Sequence, residues 1–365
     1  MINMSEFADK LLAWYKVNRR ILPWREDPTP YHVWISEIML QQTRVEAVRE
    51  YYKRFLISLP DIASLAAAPE DVYLKLWEGL GYYSRIRNLH KAAQVVMEEY
   101  GGELPGDAAD LIKLPGIGRY TSSAIASIAF GRKIPAVDGN LLRIFARLCA
   151  YEESIKTPAA IKEASDYYLS LMPEEMPDVV SMRAERAENL CGDFNQALMD
   201  LGTAVCLPGT RPACDQCPVC DFCRLHREKP GQEMTLPVIP AHKERKTETL
   251  TVFLIRNGEK TAVRKRPSKG LLAGLYEFPN AKGTLEQDDA VRWLKKHGVQ
   301  PLRIHKLCSA VHVFTHKEWH MTGYEVRIDP FDGDTDGFIM AYPEEIREKY
   351  CIPSAFSAYL QCLDP

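Results

Sequence analysis

The sequence predicts a mainly α-helical N-terminal domain and a smaller α+β domain after it, and three observations support this fold class. From about residue 5 to 205, apolar residues recur at helical spacing, with Pro and Gly at the ends of the runs. Five cysteines then crowd between Cys206 and Cys223. Beyond them the pattern changes to short alternating runs with an Asn-Gly turn, as in strands, and one helical stretch, DDAVRWLKKHG. The expected boundaries are a helical domain at 1–226, a linker rich in Pro and charge at 227–246, and the α+β domain at 247–365.

The composition is that of a globular protein that buries a full core. Apolar residues make up 46% of the 365 residues and charged residues 26%. The formal net charge of −3 does not itself indicate a nucleic-acid partner, which would have to bind local basic patches. No run approaches the roughly 20 apolar residues of a membrane span, and Glu6, Asp9 and Lys10 interrupt any signal peptide. We therefore expect a cytoplasmic protein without a membrane partner.

A glycine-rich turn, LPGIGRYT, occupies residues 114–121. Glycine has no Cβ penalty at positive φ, so Gly116 and Gly118 can form a tight turn whose backbone N–H groups point the same way. The following run, RYTSSAIASIAFG, predicts a helix that ends at Gly131. The N-terminus of that helix would attract a phosphate. For an isolated Gly-x-Gly, a helix-turn-helix corner without a ligand is the alternative.

The cysteine cluster has the spacing C-x7-C-x2-C-x5-C through Cys206, Cys214, Cys217 and Cys223, with Cys220 in the last gap. In a cytoplasmic protein such crowding indicates a metal rather than disulfides. Four thiolates in one loop suit tetrahedral zinc or an iron-sulfur cube. The run C-x2-C-x2-C-x2-C is also similar to that of bacterial ferredoxins, so the spacing leaves open which four of the five bind.

These features together resemble the helix-hairpin-helix DNA glycosylases related to endonuclease III. The resemblance depends on LPGIG, on VDGNLLR about twenty residues further on, and on the cysteine loop. LPWR at 22–25, SEIMLQQTRVE at 36–46, GLGYYSRIRNLH at 79–90 and the C-terminal domain are similar to the adenine glycosylase (MutY) branch. The resemblance covers essentially the whole chain. It implies a helix-hairpin-helix glycosylase domain followed by a domain like those of the Nudix (MutT) fold.

The resemblance also implies the activity, the partner and the cofactor. We expect a monofunctional DNA glycosylase that excises adenine mispaired with 8-oxoguanine or guanine in duplex DNA, in base excision repair. A monomer in the cytoplasm, associated with the nucleoid, is implied too. The cysteines of the family hold a 4Fe-4S cluster, with Cys206, Cys214, Cys217 and Cys223 as the implied ligands. The first cysteine gap of seven residues departs from the commonest family pattern of six.

Cleavage of an N-glycosidic bond to adenine needs a proton on the base and an anion near the oxocarbenium-like sugar, which two carboxyl groups can supply. Glu37 lies among apolar residues, where burial favours the protonated form, and the resemblance makes it the general acid. Asp138 precedes a helix, so it can act as an N-cap held ionised by backbone donors. The resemblance assigns it to stabilising the oxocarbenium ion, with Asn140 as a positioning residue.

Tyr120 occupies the position where lyase members of the family carry the lysine that forms a Schiff base with the sugar. A phenol cannot form that imine, so base release without strand cleavage is expected. Resemblance also implies DNA contacts. They comprise the glycine turn of Gly116 and Gly118 on a phosphate, Gln42 and Tyr82 as intercalating residues, Arg20, Trp24 and Arg25 at the adenine pocket, and Arg85, Arg87, His90 and Lys91 near phosphates.

The C-terminal domain is similar to Nudix folds through GLLAGLYEFP and the helix AVRWLKKHG, but it lacks the glutamate-rich helix that such hydrolases need. In the family this domain recognises 8-oxoguanine through a hairpin that usually reads Phe-Ser-His. Here the motif is Phe314-Thr315-His316, whose added methyl group would alter lesion discrimination in degree. His312, His316 and His320 have a spacing that suggests zinc, but a single alternating strand would not bring all three together.

Two other functions fit parts of the sequence. A bifunctional pyrimidine-lesion glycosylase like endonuclease III is disfavoured by Tyr120 and by the C-terminal domain. A non-catalytic iron-sulfur protein that only binds lesions is disfavoured by Glu37 and Asp138, because binding alone needs neither carboxyl group.

Overall fold

The computed structural model describes residues 4–175, 189–240, 244–329 and 337–363, which divide into two compact units. The first unit lies within Met1–Ala67 and Arg87–Ala241, and the second within Ala68–Ile86 and His242–Pro365. The segment Ala68–Ile86 groups with the end of the chain because its backbone and side chains bond there. The Cys351 thiol donates to the Leu74 carbonyl at 3.3 Å, and the Ile352 N–H donates to Glu78 Oε1 at 2.8 Å.

Helices build the first unit, and polar caps at Thr29, Asp138, Thr157 and Asn189 accept N–H bonds at the starts of four of them. In chain order the helices up to the cysteine loop and just beyond it are α1 Met4–Asn18, α2 Pro23–Glu26, α3 Pro30–Leu40, α4 Val45–Ser58, α5 Ile62–Ala67, α6 Glu70–Leu76, α7 Ser84–Glu99, α8 Ala108–Leu111, α9 Arg119–Phe130, α10 Gly139–Leu148, α11 Pro158–Leu171, α12 Leu190–Ala204 and α13 Arg224–Glu228; of these, α6 belongs to the second unit and α7 begins in it.

Helix α9 lies at the centre of the first unit, packed against α3 and α12. Its residues from Thr121 to Ala129 are buried, which explains why the run is made of small and apolar side chains. The helix ends at Gly131 with φ 73°, as the sequence predicts. A second core of the unit joins α1, α10, α11 and α12 around Phe7, Tyr168 and Phe194.

The cysteine loop packs against this second core through Cys206, Cys217 and Cys223. Phe222 of the loop meets Phe7 of α1 edge to face at 5.5 Å between ring centroids. The loop contains two short 3₁₀ helices, Cys214–Gln216 and Cys220–Phe222. The helical core therefore supports the cysteines from one side.

A mixed sheet forms the second unit, in the order β3-β2-β1-β7-β5, with β4 paired to β1, β6 to β7 and β8 to β2. Strands β1 and β7 are parallel over their length, from Lys246 opposite Lys317 to Arg256 opposite Arg327, and the other pairs are antiparallel. The elements are β1 Lys246–Asn257, β2 Lys260–Lys265, β3 Tyr276–Glu277, β4 Asn280–Lys282, α14 Gln287–Lys296, β5 Arg303–Lys306, β6 Ala310–Val313, β7 Lys317–Arg327, β8 Ile339–Ala341, α15 Pro343–Lys349 and α16 Ser357–Leu360.

The sheet is buried on both faces. Leu250, Val252 and Leu254 of β1 pack with the C-terminal helices, while Phe253 and Ile255 pack with α14. A tight turn at Gly258 and Glu259 joins β1 to β2, so the hairpin lies where the sequence predicts it, but Asn257 belongs to β1 and pairs with Lys260. The prediction of one strand through the three histidines is wrong, because β6 and β7 form a hairpin there, with the turn at residues 314–316.

Candidate active site and cysteine cluster

A cavity of about 60 Å³ lies in the first unit between α2, α3, α9 and α12. Five residues predicted as site residues from the sequence line it, together with others that were not singled out. The predicted residues are Arg20, Trp24, Arg25, Glu37 and Tyr120; the others are Leu22, Val33, Ser36, Leu40, Val45, Ile128, Gln196 and Met199. The fold thus brings together side chains from the start of the chain, from the helix after the glycine turn and from α12.

Glu37 is 6% exposed on α3, and the Tyr120 hydroxyl donates a hydrogen bond of 2.8 Å to its Oε2. Burial, against the opposing effect of the Tyr120 hydrogen bond, raises the pKa of Glu37 to about 7; the charge of Asp138 adds to the rise and the charge of Arg25 reduces it. A substantial fraction of Glu37 is therefore protonated at neutral pH. Such a carboxyl group can donate a proton to a bound base.

Asp138 caps α10 and accepts three hydrogen bonds. Its Oδ1 accepts from the N–H groups of Asn140 and Leu141, and its Oδ2 accepts from Asn140 Nδ2, each at 2.8 Å. The expectation from sequence counted only the donors; burial opposes them and leaves the pKa of Asp138 raised above its ordinary value. Because Glu37 has a single donor and Asp138 has three, a proton shared between the two carboxyls favours Glu37.

Two buried arginines that the sequence analysis missed connect this cap to the cysteine loop. Arg143 donates to Asn140 Oδ1 at 3.0 Å, to the Gly202 carbonyl at 2.7 Å and to the Cys206 carbonyl at 2.9 Å. Arg147 donates to Cys206 Sγ at 3.1 Å. A Cβ on Gly202 would lie 2.9 Å from Asn140 Cβ, so glycine permits this close approach. The sequence contained a sign of this pair: Arg143 and Arg147 are four residues apart in LLRIFAR, and this spacing puts both side chains on one face of α10.

The glycine turn connects α8 to α9, as expected for a helix-hairpin-helix. Gly116 has φ 79°, and a Cβ there would lie 2.6 Å from Asn88 Cβ. Gly118 has φ −94° with open space where a Cβ would be. The structure therefore needs glycine at 116 but not at 118, which corrects the expectation that both glycines adopt the special conformation.

Two residues predicted to intercalate have strained backbones. Gln42 has φ 59° and Tyr82 has φ 46°, in the region that residues other than glycine seldom adopt. Tyr82 is 45% exposed, and within the second unit its hydroxyl is hydrogen-bonded to the Thr315 hydroxyl. Two residues far apart in the sequence, each predicted to contact DNA, are thus neighbours.

Among the predicted phosphate contacts, Arg85 is engaged inside the second unit. Its Nη2 donates to the carbonyls of Leu80 at 2.9 Å and Gly81 at 3.2 Å, and its guanidinium lies over the rings of Trp77 and Tyr82. Burial lowers the pKa of Arg85 to about 10. Arg87 and His90 are half-buried on α7, and Lys91 is exposed.

The Phe314-Thr315-His316 motif forms the turn of the β6–β7 hairpin, closed by a 2.8 Å hydrogen bond from Phe314 N–H to the Lys317 carbonyl. The Phe314 ring packs edge to face against His312 at 4.6 Å and Trp319 at 4.9 Å. Thr315 and His316 therefore stand at the tip of a hairpin whose base is anchored by aromatic packing.

All five clustered cysteines line one cavity of about 30 Å³, with Ile144, Leu148, Leu201 and Val219 as apolar walls. Burial raises the pKa of Cys214 to about 11 and that of Cys217 to about 12, so without a metal both are thiols. The convergent thiols, the apolar walls and the Arg147 donor on Cys206 fit a thiolate-bound cluster. Among the described residues, the ligand atoms of Cys214, His226 and Glu233 also lie within 4.8 Å of one another, whereas the three histidines near 316 form no such group.

Comparisons with known proteins agree with this architecture. Residues 35–169 match the model of the HhH-GPD superfamily base excision DNA repair proteins, and residues 251–362 match a NUDIX domain model. The chain is 34% identical to an adenine DNA glycosylase of Mus musculus over 91% of this chain and 73% of the mouse protein. It is 34% identical to one of Buchnera aphidicola subsp. Schizaphis graminum over 89% of this chain and 88% of that protein. A thermostable thymine-DNA glycosylase structure superposes with a TM-score of 0.53 at 27% identity, covering 62% of this chain and 97% of its own.

No helix in the described parts of the chain has the length and apolar character needed to cross a membrane.

Proposed function

Because the chain belongs to the adenine DNA glycosylase family, we propose that it excises adenine paired with 8-oxoguanine or guanine from duplex DNA. It is a base excision repair enzyme that hydrolyses the N-glycosidic bond. The observation that supports its chemistry most directly is the cavity in which the buried Glu37, with its pKa raised to about 7, accepts a hydrogen bond from Tyr120, with the charge of Asp138 nearby. The choice of 8-oxoguanine as the opposite base, the monomeric state and a nucleoid-associated cytoplasmic location belong to the proposal.

In the proposed reaction, adenine enters the cavity after it is flipped out of the duplex, at a cost of about a few kcal/mol in unstacking. Glu37 donates its proton to the base as the glycosidic bond breaks, because neutral adenine is a poor leaving group. The Asp138 carboxylate stabilises the positive charge that develops on the sugar. Tyr120 holds the Glu37 carboxyl in place, and Asn140 holds that of Asp138.

The product of this reaction is an abasic site in an intact strand. Strand cleavage by a lyase requires an amine that attacks the sugar, and the side chain at the corresponding place in the cavity is the phenol of Tyr120. Water completes the reaction by attacking the sugar carbon. The base leaves with the proton from Glu37, the sugar keeps the hydroxyl of the water, and the remaining proton of the water returns to the Glu37 carboxylate, so the step balances.

The remaining predicted residues are proposed to hold the DNA. The turn at Gly116 and Gly118 binds a phosphate, Gln42 and Tyr82 enter the base stack, and Arg20, Trp24 and Arg25 surround the flipped base. Arg85 and Arg87 serve the phosphates near Tyr82. The hairpin tip of Phe314, Thr315 and His316 recognises 8-oxoguanine, and the proximity of Tyr82 to Thr315 supports a joint role at the opposite base.

We further propose that Cys206, Cys214, Cys217 and Cys223 hold a 4Fe-4S cluster. When bound, the cluster crosslinks the loop and so stabilises the fold against which α10 and Asp138 are placed. Arg147 would donate to the Cys206 sulfur, and Arg143 would hold the Cys206 backbone.

The deciding experiment is single-turnover cleavage of a labelled duplex that contains adenine opposite 8-oxoguanine, worked up with and without hot alkali. The proposal expects a cleaved product only after alkali, since alkali breaks the strand at an abasic site. The Glu37→Gln variant should give no product in either lane while it still binds the duplex. Product without alkali at the rate of base release would contradict the absence of lyase activity, and no product from the unsubstituted protein would contradict the proposed substrate.

A further inference from the structure

A buried aspartate on α12, Asp200, holds two arginines at the wall of the base cavity. Arg25 donates to it through both terminal nitrogens, at 2.7 Å and 3.1 Å. Arg20 donates through Nε at 2.7 Å and through its backbone N–H at 3.2 Å, and its Nη2 lies 2.6 Å from Oδ1. Asp200 is 1% exposed, against 12% for Arg25 and 34% for Arg20. These bonds orient both guanidinium groups in the free protein.

The cluster carries one net positive charge, from two arginines and one carboxylate. Burial alone would raise the pKa of Asp200, but the Arg25 hydrogen bond and the charges of Arg25 and Arg20 outweigh it, so the pKa ends below its ordinary value. Asp200 is therefore ionised at neutral pH. Its negative charge offsets part of the field of the two arginines.

Arg25 acts on the proposed general acid. In the described part of the chain, the titratable or charged groups that influence Glu37 are Tyr120 from α9, Asp138 before α10 and Arg25 from α2. Arg25 is the single cation among them, and it favours the ionised, catalytically incompetent form of Glu37. Around the cluster itself, Arg25 also lies over the ring of Tyr15 at 5.6 Å.

We infer that Asp200 is a positioning residue that anchors Arg25 and Arg20 beside the base and limits the positive field at Glu37. This inference rests on the proposed general-acid role of Glu37. The geometry supports this inference because two adjacent residues of α12 contact side chains of the same cavity. Met199 Sδ lies 4.0 Å from the Tyr120 hydroxyl, and Asp200 binds the arginines. None of these contacts brings Asp200 to the base itself, so its effect acts through the arginines and Glu37.

The sign of the effect follows from the charges. Glu37 acts as an acid in its protonated form, so the excision rate falls as pH rises through its pKa. Replacing Asp200 by Asn removes one negative charge and leaves two cations, which stabilises the ionised form of Glu37. The falling limb of the pH–rate profile should then move to lower pH by about one unit. The rate should be nearly unchanged at the acidic end and about tenfold lower at the alkaline end.

The experiment measures single-turnover adenine excision between about pH 5 and pH 9, with enzyme saturating the duplex. Asp200→Asn is compared with Asp166→Asn, which makes the same change in an exposed ion pair with Lys162 on α11. Asp166→Asn should leave the midpoint of the profile in place. Asp200→Glu keeps the charge and should also keep the midpoint.

Arg25→Gln provides an independent second variant, because it leaves Asp200 paired with Arg20 and removes the cation that acts on Glu37. Its midpoint should move to higher pH, and the double variant with Asp200→Asn should lie between the two single variants. A lower rate at every pH with an unmoved midpoint in both Asp200→Asn and Arg25→Gln would overturn the inference, since a purely structural role predicts that result.

If Asp200→Asn fails to fold, as shown by its thermal melting, Arg25→Gln tests the route through which Asp200 acts: a midpoint at higher pH supports the inference, and an unmoved midpoint overturns it. An unsubstituted enzyme that releases no adenine at any pH would instead overturn the proposed function, and with it the role of Glu37 on which this inference rests. An active enzyme whose profile is the same in all variants would overturn the inference and leave the function in place.

Discussion

At the scale of single residues, the site depends on two carboxyl groups whose surroundings differ. Glu37 is buried on α3 and has one hydroxyl donor, so the cost of burying a charge dominates its pKa. Asp138 is partly buried, and three N–H donors offset part of the cost of burying its charge. The same chemical group can thus supply the proton in one place and the anion in the other.

The Tyr120 hydroxyl should lower the pKa of Glu37. Since its hydrogen bond favours ionised Glu37, Tyr120→Phe removes a lowering influence and should move the falling limb of the pH–rate profile from about pH 7 to higher pH. Single-turnover excision rates measured across the pH range test this. Tyr100→Phe, the same change outside the cavity, should leave the limb in place, and an unmoved limb in Tyr120→Phe would separate the hydroxyl from Glu37.

At the scale of structural elements, the turn between α8 and α9 and the cysteine loop decide how the site is presented. The turn is fixed by a single glycine conformation, and the five cysteines of the loop line one cavity. Because the turn and the loop are both short, a substitution at one position should change the conformation of the whole element.

Gly116→Ala should damage the turn. The new Cβ would combine a φ of 79° with an approach of 2.6 Å to Asn88 Cβ. We expect a loss of about 1–3 kcal/mol in the free energy of unfolding, with weaker duplex binding. Thermal unfolding measures the loss of stability, and a titration with duplex DNA measures the loss of binding.

Gly118→Ala is the matched control, because its φ of −94° suits alanine and the space is open. It should lose less than about 1 kcal/mol, through the poorer N-cap alone. Equal losses in the two variants would show that the predicted difference between the glycines is wrong.

For the cysteine loop, Cys217→Ser should remove one ligand of the proposed cluster. The purified protein should lose iron, brown colour and visible absorbance, and it should melt at a lower temperature because metal binding contributes to folding. Cys308→Ser, which changes an exposed cysteine of the second unit, should keep the iron, the colour, the visible absorbance and the melting temperature. A colourless unsubstituted protein that contains zinc would replace the iron-sulfur proposal with a zinc site.

At the scale of the whole molecule, the two compact units divide the proposed work. The cavity with Glu37 belongs to the first unit, while Tyr82 and Thr315 both belong to the second. If the second unit recognises the opposite base, selectivity and bond cleavage can be altered separately.

Thr315→Ala should therefore reduce selectivity more than chemistry. Loss of the hydroxyl removes a hydrogen-bonding group at the hairpin tip and also frees Tyr82. We expect the preference for adenine opposite 8-oxoguanine over adenine opposite guanine to fall by about tenfold, which corresponds to about 1.4 kcal/mol. Competition between the two duplexes measures it, with the exposed Thr284→Ala as control. A uniform loss of rate on both duplexes would contradict a role in discrimination.

The sequence by itself determined the features that depend on local chemistry. Helical spacing and glycine stops predicted α9 and its end, the Asn-Gly pair predicted the β1–β2 turn, and motif resemblance indicated the family. The domain boundaries at 1–226 and 247–365 also come from local sequence patterns, and they stay predictions. Such patterns could not show that segment 68–86 groups with the C-terminal unit, since Leu74 and Cys351 are 277 positions apart.

Only the tertiary structure decided which side chains share one environment. It placed Asp200 against Arg20 and Arg25, and Arg147 against the Cys206 sulfur. It also showed that burial, and not the number of donors alone, sets the pKa of Asp138. The physical reason is that desolvation and charge pairing depend on distances across the fold. A sequence pattern records neighbours along the chain, whereas the energy of a buried charge depends on neighbours in space.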